Sequence, residues 1–287
     1  MSFTTTSGRL DVLVPDANAA PRPRRNLVEA AVVDHRHVAD RYWSLRLHAP
    51  QIAETAQPGQ FVMLTVAQAH ESAPVLPRPM AIYTTDAASG SFEVMYGVVG
   101  SGTSRLTRIP VGSTITTVGP LGRGFSINPD TRHILLVGRG IGTCSLTSLA
   151  FAGAARGVAV TAVDSARNAH ALIADETYRR AGVHRLLQVI DSDGTSARYA
   201  VQSALTTMMD SQPAQQIYTC GSKRLTQLCG DLGQRCGAEV QVSLEAHMAC
   251  GLGYCHGCAT GTRTADNESP LICKDGPVFK LTGPATP

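Results

Sequence analysis

Four of the eight cysteines in the 287-residue chain lie close together near its C-terminal end. They are Cys250, Cys255, Cys258 and Cys273, which gives the spacing C-x4-C-x2-C-x14-C. Three closely spaced cysteines followed by a distant fourth are typical of plant-type [2Fe-2S] ligation, in which two irons together take four thiolates. The spacing therefore predicts an iron-sulfur centre and a tight backbone loop around it.

The residues between the cysteines suit this interpretation. Gly251, Gly253 and Gly257 let the backbone turn sharply, because glycine reaches positive φ at little cost. A four-cysteine zinc site is the main alternative, but zinc usually takes two separated short pairs of cysteines. A Rieske centre needs two histidine ligands in Cys-x-His pairs. No repeated pairing of that kind is present, so His247 and His256 are predicted to be surface residues.

Length and composition limit the class of protein. A chain of 287 residues suggests two domains or slightly more, since one core rarely organises so many residues. The net charge of +3 and the 5% aromatic content argue against nucleic acid as a partner. The sequence shows neither an apolar run of membrane-spanning length nor a secretory signal in residues 1–20. We therefore expect a cytoplasmic protein without a membrane partner, in which three of the other four cysteines, Cys144, Cys229 and Cys236, pack as small buried residues.

The first half of the chain predicts an arm and a barrel. Residues 1–26 are rich in Ala, Pro, Thr and Arg without a sustained period, which predicts a flexible N-terminal arm. Short β-type runs separated by Gly and Pro turns then predict an antiparallel β-barrel over residues 27–126. The six strands are expected at residues 28–35, 42–47, 60–66, 80–85, 92–99 and 113–118.

The second half alternates apolar runs with helical stretches, which is typical of a nucleotide-binding α/β domain with a parallel sheet. This domain is predicted to cover residues 127–240, and a small cysteine-rich module residues 241–287. The predicted fold class is thus a multidomain β plus α/β protein. Strands are expected at residues 133–138, 158–163, 186–190 and 216–219, and helices at 144–155, 169–181, 198–208 and 222–236.

Gly138, Gly140 and Gly142 lie where the first of these strands turns into a helix. Without side chains they let backbone N–H groups and the helix N-terminus approach a pyrophosphate. The spacing is not that of the GxGxxG fingerprint, and a tight turn without a ligand fits about as well. Asp164 ends the next strand, where an acid can bind ribose hydroxyls, whereas Arg167 can favour a 2′-phosphate. NAD(H) is therefore favoured, and NADP(H) stays open.

Two further places fit ligand binding less specifically. Cys220 and Gly221 follow a strand end, where open α/β sheets bind ligands, although such a cysteine is more often a buried small residue. Arg78 and Pro79 enter one barrel strand, and residues 96–103 leave another through a glycine-rich loop. An arginine beside a helix N-terminus suits the phosphates of a flavin. From spacing alone, ordinary strand ends without a ligand fit better than a flavin site.

Taken in order, these motifs resemble the electron-transfer subunit of class 1B dihydroorotate dehydrogenase, within the ferredoxin-reductase superfamily. The resemblance covers about residues 27–280 and is most specific in the cysteine spacing and in the ending Asp275-Gly276-Pro277-Val278-Phe279. It implies a β-barrel that binds FAD, an NAD-binding α/β domain and a C-terminal [2Fe-2S] module. By this resemblance, the residues that hold FAD are Arg78, Pro79, Met80, Ala81, Tyr96, Gly97, Val98, Gly102 and Thr103. On the same basis, the cluster is held by Cys250, Cys255, Cys258 and Cys273. The glycine loop and Cys220-Gly221 are implied to face the nucleotide.

The chain departs from this family's pattern at three places. Ala81 stands where the family often has a serine whose hydroxyl approaches the reactive flavin nitrogen. Arg139 replaces a common glycine in the nucleotide loop, and Thr143-Cys144 replace small or proline residues. Residues 1–26 lie outside the resemblance.

The resemblance implies an electron relay. NADH gives up electrons as a hydride, whereas a [2Fe-2S] centre accepts them singly, so a flavin is needed between the two. The implied protein is an NAD(P)H-dependent iron-sulfur flavoprotein oxidoreductase in a hetero-oligomer, such as a heterotetramer, with a separate catalytic flavoenzyme subunit of pyrimidine biosynthesis. Two alternatives stay open: a reductase component of a different biosynthetic or hydrogenase-like oxidoreductase, and a non-catalytic partner protein whose four-cysteine site is structural.

Overall fold

Two β-sheets organise the molecule. The computed structural model describes residues 12–16, 21–67, 75–261 and 268–282. Within these residues a closed six-stranded barrel and a seven-stranded sheet account for all the strands. The predicted fold class, an antiparallel barrel joined to a parallel-sheet α/β domain, is confirmed.

The strands, numbered in chain order, are β1 (Val12–Pro15), β2 (Asn26–Ala39), β3 (Tyr42–His48), β4 (Phe61–Leu64), β5 (Arg78–Asp86), β6 (Ser91–Gly97), β7 (Thr114–Leu121), β8 (His133–Arg139), β9 (Ala159–Ala166), β10 (Arg185–Ile190), β11 (Gln216–Cys220), β12 (Glu239–Ser243) and β13 (Val278–Thr282). The α-helices are α1 (Pro50–Ala53), α2 (Ser101–Leu106), α3 (Cys144–Ala155), α4 (Asp175–Arg180), α5 (Arg198–Ser211) and α6 (Lys223–Cys236). Single 3-10 turns cover Gly140–Thr143 and Ala169–Ala171. None of the helices in the described parts of the chain is long and apolar enough to cross a membrane.

The barrel has the strand order β2-β3-β6-β5-β4-β7 and closes where β7 pairs with β2. Its strands are antiparallel, and all six lie where the sequence predicts them. Leu45, Leu47 and Val94 are fully buried and form part of one apolar core inside the barrel. Burying such side chains on the inner face stabilises the barrel, because each removes its apolar surface from water.

The second sheet has the order β1-β13-β12-β11-β8-β9-β10. Strands β12, β11, β8, β9 and β10 are parallel, so their carboxyl ends lie at one edge of the sheet. Helices cover both faces: Leu146 of α3 and Tyr178 of α4 belong to one apolar core, and Leu205 of α5 and Leu228 of α6 to another. This two-faced covering explains the continuous apolar run of β8.

The prediction of a flexible N-terminal arm is wrong for residues 12–16. Strand β1 pairs antiparallel with β13, which places Leu13 opposite Leu281. The side chain of Leu13 is buried, and the Asp16 carboxylate pairs with Lys280 Nζ at 3.0 Å. Residues 1–11 and 17–20, also assigned to the arm, lie outside the described residues.

Three other predictions need correction. The sequence assigned all of residues 241–287 to a separate cysteine-rich module, but β12 and β13 both belong to the large sheet. The cysteine-rich segment is therefore an insertion between these two strands. The single helix expected at residues 169–181 is divided into a 3-10 turn and α4, because Asn168 Oδ1 accepts from Ala171 N–H and closes a separate turn. Cys236 is exposed at the end of α6, whereas Cys144 and Cys229 are buried as predicted.

Candidate functional site

A cleft of about 600 Å³ lies between the barrel, the carboxyl edge of the large sheet and the chain that leads to the first clustered cysteine. Its volume is in the range of small-molecule sites. Among the residues proposed from the sequence, the cleft is lined by Arg78, Pro79, Met80, Ala81, Tyr96, Gly97, Gly102, Thr103, Gly142 and Cys220. Residues expected to bind two different cofactors thus share one cavity.

Arg78 and α2 form one end of the cleft. Arg78 Nη2 donates to Leu76 O at 2.9 Å, while its buried Nε has no hydrogen-bond partner among the described residues. A Cβ on Gly102 would lie 2.7 Å from that Nε, so only glycine lets the guanidinium approach α2 this closely. A buried guanidinium nitrogen without a partner costs free energy unless an anion satisfies it. The arrangement fits the phosphates of a flavin nucleotide.

Two residues next to this end occupy different environments. Tyr96 is buried in the barrel core and also lines the cleft. Its hydroxyl lies 2.8 Å from His35 Nε2, and His35 Nδ1 lies 2.8 Å from Ile109 O. Since a carbonyl only accepts, Nδ1 carries a proton towards Ile109 O, and Nε2 shares the second hydrogen bond with the Tyr96 hydroxyl. Val98, in contrast, packs against the barrel core and does not line the cleft.

The predicted glycine loop has one open glycine and two that are closely packed. Gly140 has φ +54°, and a Cβ there would meet only Tyr42 Oη at 3.7 Å. A Cβ on Gly142 would lie 2.6 Å from Gly221 Cα, and one on Gly138 would strike Thr143. Gly142 therefore lets the loops after β8 and β11 touch, and it alone of the three lines the cleft.

The structure does not place Asp164 at the ribose position expected from the sequence. Strand β9 continues to Ala166, so Asp164 lies inside the strand and is 1% exposed. Its Oδ1 accepts from Thr143 Oγ1 at 2.9 Å, whereas its Oδ2 has no partner among the described residues. Burial raises the pKa of Asp164 to about 7, against the lowering effects of the Thr143 hydroxyl and the Ala174 backbone. The carboxyl group accepts a hydrogen bond from Thr143 at the end of the glycine loop and does not line the cleft.

Sequence reasoning missed the segment that follows β12. Ser243, Glu245 and Met248 line the cleft, and Met248 is only two residues before Cys250. The Glu245 side chain is open to the cleft but surrounded by protein, and this burial raises its pKa. Burial also raises the pKa of Cys220 to about 12, and the Glu245 charge adds to that effect. The signal available in the sequence was the position of this segment at a strand end.

The four clustered cysteines form two thiol pairs. The Cys250 sulfur lies next to the Cys255 thiol, and the Cys273 sulfur lies next to the Cys258 thiol. Cys273 N–H also donates to Cys258 Sγ at 3.4 Å. Within the described parts of the chain, no three His, Cys, Asp or Glu side chains are arranged around a single metal ion. Two neighbouring pairs are what a centre with two irons and four thiolates requires.

The local environment favours a thiolate at the first cysteine. Burial raises the pKa of Cys250, but backbone N–H groups of Leu252, Cys255 and Tyr254 donate to the sulfur and lower the pKa below its usual value. The Leu252 N–H lies 3.4 Å from Sγ. Gly251 has φ +66°, and a Cβ there would lie 2.6 Å from Met63 Cγ, so glycine allows the cysteine loop to rest on barrel strand β4. Donors aimed at the sulfur suit an iron-bound thiolate.

Cys258 and Cys273 are buried in an apolar cluster that includes Phe61 and Met63 of β4 and Leu13 of β1. Cys250 is half-buried and Cys255 is exposed. His247 and His256 are exposed as predicted. The site therefore has a buried half against the barrel and an open half at the surface.

Comparison with known proteins agrees with this arrangement. Residues 245–282 match the family described as the iron-sulfur cluster binding domain of dihydroorotate dehydrogenase B. The chain is 32% identical over 253 residues to the dihydroorotate dehydrogenase B (NAD(+)) electron transfer subunit of Geobacillus thermodenitrificans, covering 87% of this chain and 95% of the relative. The subunit of the same name from Streptococcus thermophilus is 31% identical over 256 residues, covering 88% and 95%.

Solved structures share the architecture. The structure of an NADH-dependent reduced ferredoxin-NADP oxidoreductase, studied for flavin-based electron bifurcation, is 27% identical with a TM-score of 0.74 and 89% coverage of both chains. Phthalate dioxygenase reductase shares the fold, with 18% identity and a TM-score of 0.55. The match covers 73% of this chain and 64% of the reductase chain. Together with the cysteine loop and the shared cleft, these relatives show that the chain belongs to the family of dihydroorotate dehydrogenase B electron-transfer subunits.

Proposed function

We propose that this chain relays electrons between NAD(H) and a separate catalytic flavoenzyme subunit through FAD and a [2Fe-2S] cluster, as in dihydroorotate oxidation. One observation carries the proposal: a single cleft joins the Arg78 end of the barrel, the Gly142 loop and the segment that leads into Cys250. When bound, a flavin accepts an electron pair from NADH and releases single electrons, which a [2Fe-2S] cluster requires. One cleft thus extends from the proposed flavin site at Arg78 to the segment that leads into the cysteine site.

In this scheme the protein's own residues bind and orient the flavin. Arg78 supplies a cation for the flavin phosphates, and the bare backbone at Gly102 leaves room for them. Thr103 Oγ1 accepts from the N–H groups of Val99 and Gly100, at 2.9 and 3.1 Å, and fixes the loop before α2. Ala81 at the cleft provides no hydroxyl, and the polar side chains that line the cleft from the large sheet and the segment after β12 include Cys220, Ser243 and Glu245.

The nucleotide is NAD(H) in this proposal. The relatives carry NAD(+) in their names. Gly142 and Cys220 line the nucleotide side of the cleft, and the contact of Gly142 with Gly221 fixes the distance between their loops. The partner is a separate catalytic subunit, in a hetero-oligomer such as a heterotetramer. Four thiols kept free for iron suit a reducing compartment, so we place the complex in the cytoplasm.

The test is the variant Cys255→Ser in the full chain. Loss of one thiolate should remove the cluster's visible absorption and abolish reduction of the catalytic subunit. NADH-dependent reduction of ferricyanide by the FAD site should keep at least about half of its rate, because the cleft is intact. Cys236→Ser, at an exposed cysteine at the end of α6, is the matched control and should behave as wild type. A colourless wild-type protein with one bound zinc would contradict the proposal.

A second candidate is a reductase component for a different oxidoreductase. It is favoured by the similarity over 89% of the chain to an NADH-dependent ferredoxin-NADP oxidoreductase. Both candidates use the same cleft and cluster and differ in the partner. Identifying the flavoprotein that copurifies with the chain from its native host separates them.

A further inference from the structure

Residues 21–25 lie beside the cysteine module and carry three arginines. Arg22 Nη1 donates to the carbonyl oxygen of Lys274 at 3.2 Å, and Lys274 directly follows Cys273. Gln57 Nε2 of the barrel domain donates to Pro21 O at 3.3 Å. We call the exposed side chains of Arg22, Arg24, Arg25 and Lys274 the basic rim. It places positive charge one residue from the fourth cysteine.

The N-terminal part of the chain is attached to this module at a second place. Strand β1 pairs with β13, and Leu13 is buried in the apolar cluster that contains Cys258 and Cys273. The carboxylate of Asp16, 2% exposed, pairs with Lys280 at 3.0 Å. Residues 12–16 are thus held on the large sheet, with Leu13 against the buried cysteines, and Arg22 is held on the cysteine module by its bond to Lys274. Of the basic rim side chains, Arg22 is held on this surface by a hydrogen bond.

The charges of the basic rim point outwards. None of the salt bridges between described residues includes Arg22, Arg24, Arg25 or Lys274. Pro21 and Pro23 restrict the backbone between the arginines, which reduces the entropy lost when a partner binds. Gly253 lies against the Lys274 side chain of the rim, and the next residue, Tyr254, is 82% exposed beside exposed Cys255. An exposed aromatic ring beside grouped cations has the composition of a protein-binding surface.

We propose that the basic rim and Tyr254 dock an acidic surface of the catalytic subunit, the protein that exchanges electrons with the cluster. The inference rests on the proposed function. Opposite charges at the edge of an interface raise the association rate and set the orientation, which brings the exposed half of the cysteine site against the partner. The arginines precede residue 27, where the sequence resemblance to the family begins.

The test uses the double variant Arg24→Glu/Arg25→Glu in the full chain, which leaves the Arg22–Lys274 hydrogen bond in place. Its association rate with the purified catalytic subunit should fall about tenfold or more at 50 mM NaCl and approach the wild-type rate at 500 mM, because salt screens the rim. Arg132→Glu/Arg185→Glu makes the same change in net charge. Arg132 and Arg185 are exposed on the α/β domain, and β10, which begins at Arg185, is at the opposite edge of the sheet from β1.

The control double variant should associate like wild type, and ferricyanide reduction should be unchanged in both. Equal association rates of the rim variant and wild type at 50 mM NaCl would overturn the proposal, as would an equal loss in the control. A rim variant that still associates with the catalytic subunit at the wild-type rate, but no longer binds vesicles of anionic phospholipid, would also overturn the proposal. A wild-type chain that reduces ferricyanide but neither binds nor reduces the catalytic subunit overturns the proposed function, and this inference with it.

Discussion

Asp164 has a carboxyl group inside the large sheet, with one oxygen held by Thr143 and the other without a partner among the described residues. Its pKa is raised to about 7 by burial, whereas an unfolded aspartate titrates near 4. Between these two values the folded protein keeps a proton that the unfolded chain has lost. The free energy of unfolding therefore decreases as pH rises from about 4 to about 7, by at most roughly 1.4 kcal/mol per pH unit.

Asp164→Asn should remove this dependence. The amide keeps an oxygen for Thr143 and carries no charge, so the variant should unfold at higher denaturant concentration than wild type at pH 8 and similarly at about pH 4. Chemical unfolding at the two pH values measures the difference. Asp130→Asn, at an exposed position, should follow the wild-type profile. Parallel profiles for wild type and Asp164→Asn would show that the carboxyl titrates normally.

At the scale of elements, the contact between Gly142 and Gly221 joins the loops after β8 and β11. A side chain at Gly142 would meet the backbone of Gly221 at 2.6 Å, and backbone cannot move aside as a flexible side chain can. Gly142→Ala should therefore separate the loops and weaken NADH binding by about tenfold or more, since misfit in packed sites costs about 1–3 kcal/mol.

Gly140→Ala is the matched comparison within the same loop. The position has φ +54°, so alanine adds about 1 kcal/mol of backbone strain, but nothing nearer than Tyr42 Oη at 3.7 Å meets its methyl group. A larger side chain at Gly140 should weaken NADH binding further, because it would extend against Tyr42, which lines the cleft. Titration with NADH measures all the variants. Equal losses for the two alanine variants would show that strain, and not the Gly142 contact, controls binding.

The elements that the sequence predicts well are those whose pattern is local. Strand β8 is a continuous apolar run, and helix α3 begins and ends at the predicted residues. Strand β1 has only four residues and owes its structure to pairing with β13, more than 250 positions along the chain. The burial of Asp164 likewise depends on how far β9 continues under the loop before α3. Such facts depend on tertiary contacts, which no short-range pattern contains.

The cysteine site likewise has one feature that the sequence predicts and one that depends on tertiary contacts. The spacing of Cys250, Cys255, Cys258 and Cys273 was enough to predict the kind of centre. It could not indicate that the cysteine loop rests on barrel strand β4, with Gly251 against Met63. That contact, together with Met248 in the cleft, places the cysteine loop against the barrel and at one end of the cleft.

At the scale of the whole molecule, the relay depends on how the barrel is held against the α/β domain. Tyr83 of β5 is 2% exposed in an apolar cluster that also contains Cys144 and Ile173 of the other domain. Its hydroxyl donates to Thr177 Oγ1 of α4 at 2.6 Å, and its carbonyl oxygen accepts from Thr147 Oγ1 of α3 at 2.6 Å. Hydride transfer needs reacting atoms within about 3.5 Å, and each domain supplies one side of the cleft.

Tyr83→Phe keeps the ring in this interface and removes the bond to Thr177. Loss of a buried hydrogen bond should lower the free energy of unfolding by about 1 kcal/mol. Because the two walls of the cleft would then be less rigidly fixed, NADH-dependent ferricyanide reduction at saturating NADH should slow by up to about tenfold. Tyr199→Phe, at a side chain 83% exposed on α5, should change neither quantity. A Tyr83→Phe protein that loses stability but reduces ferricyanide at the wild-type rate would show that the hydroxyl stabilises the fold without setting the distance between the two bound cofactors.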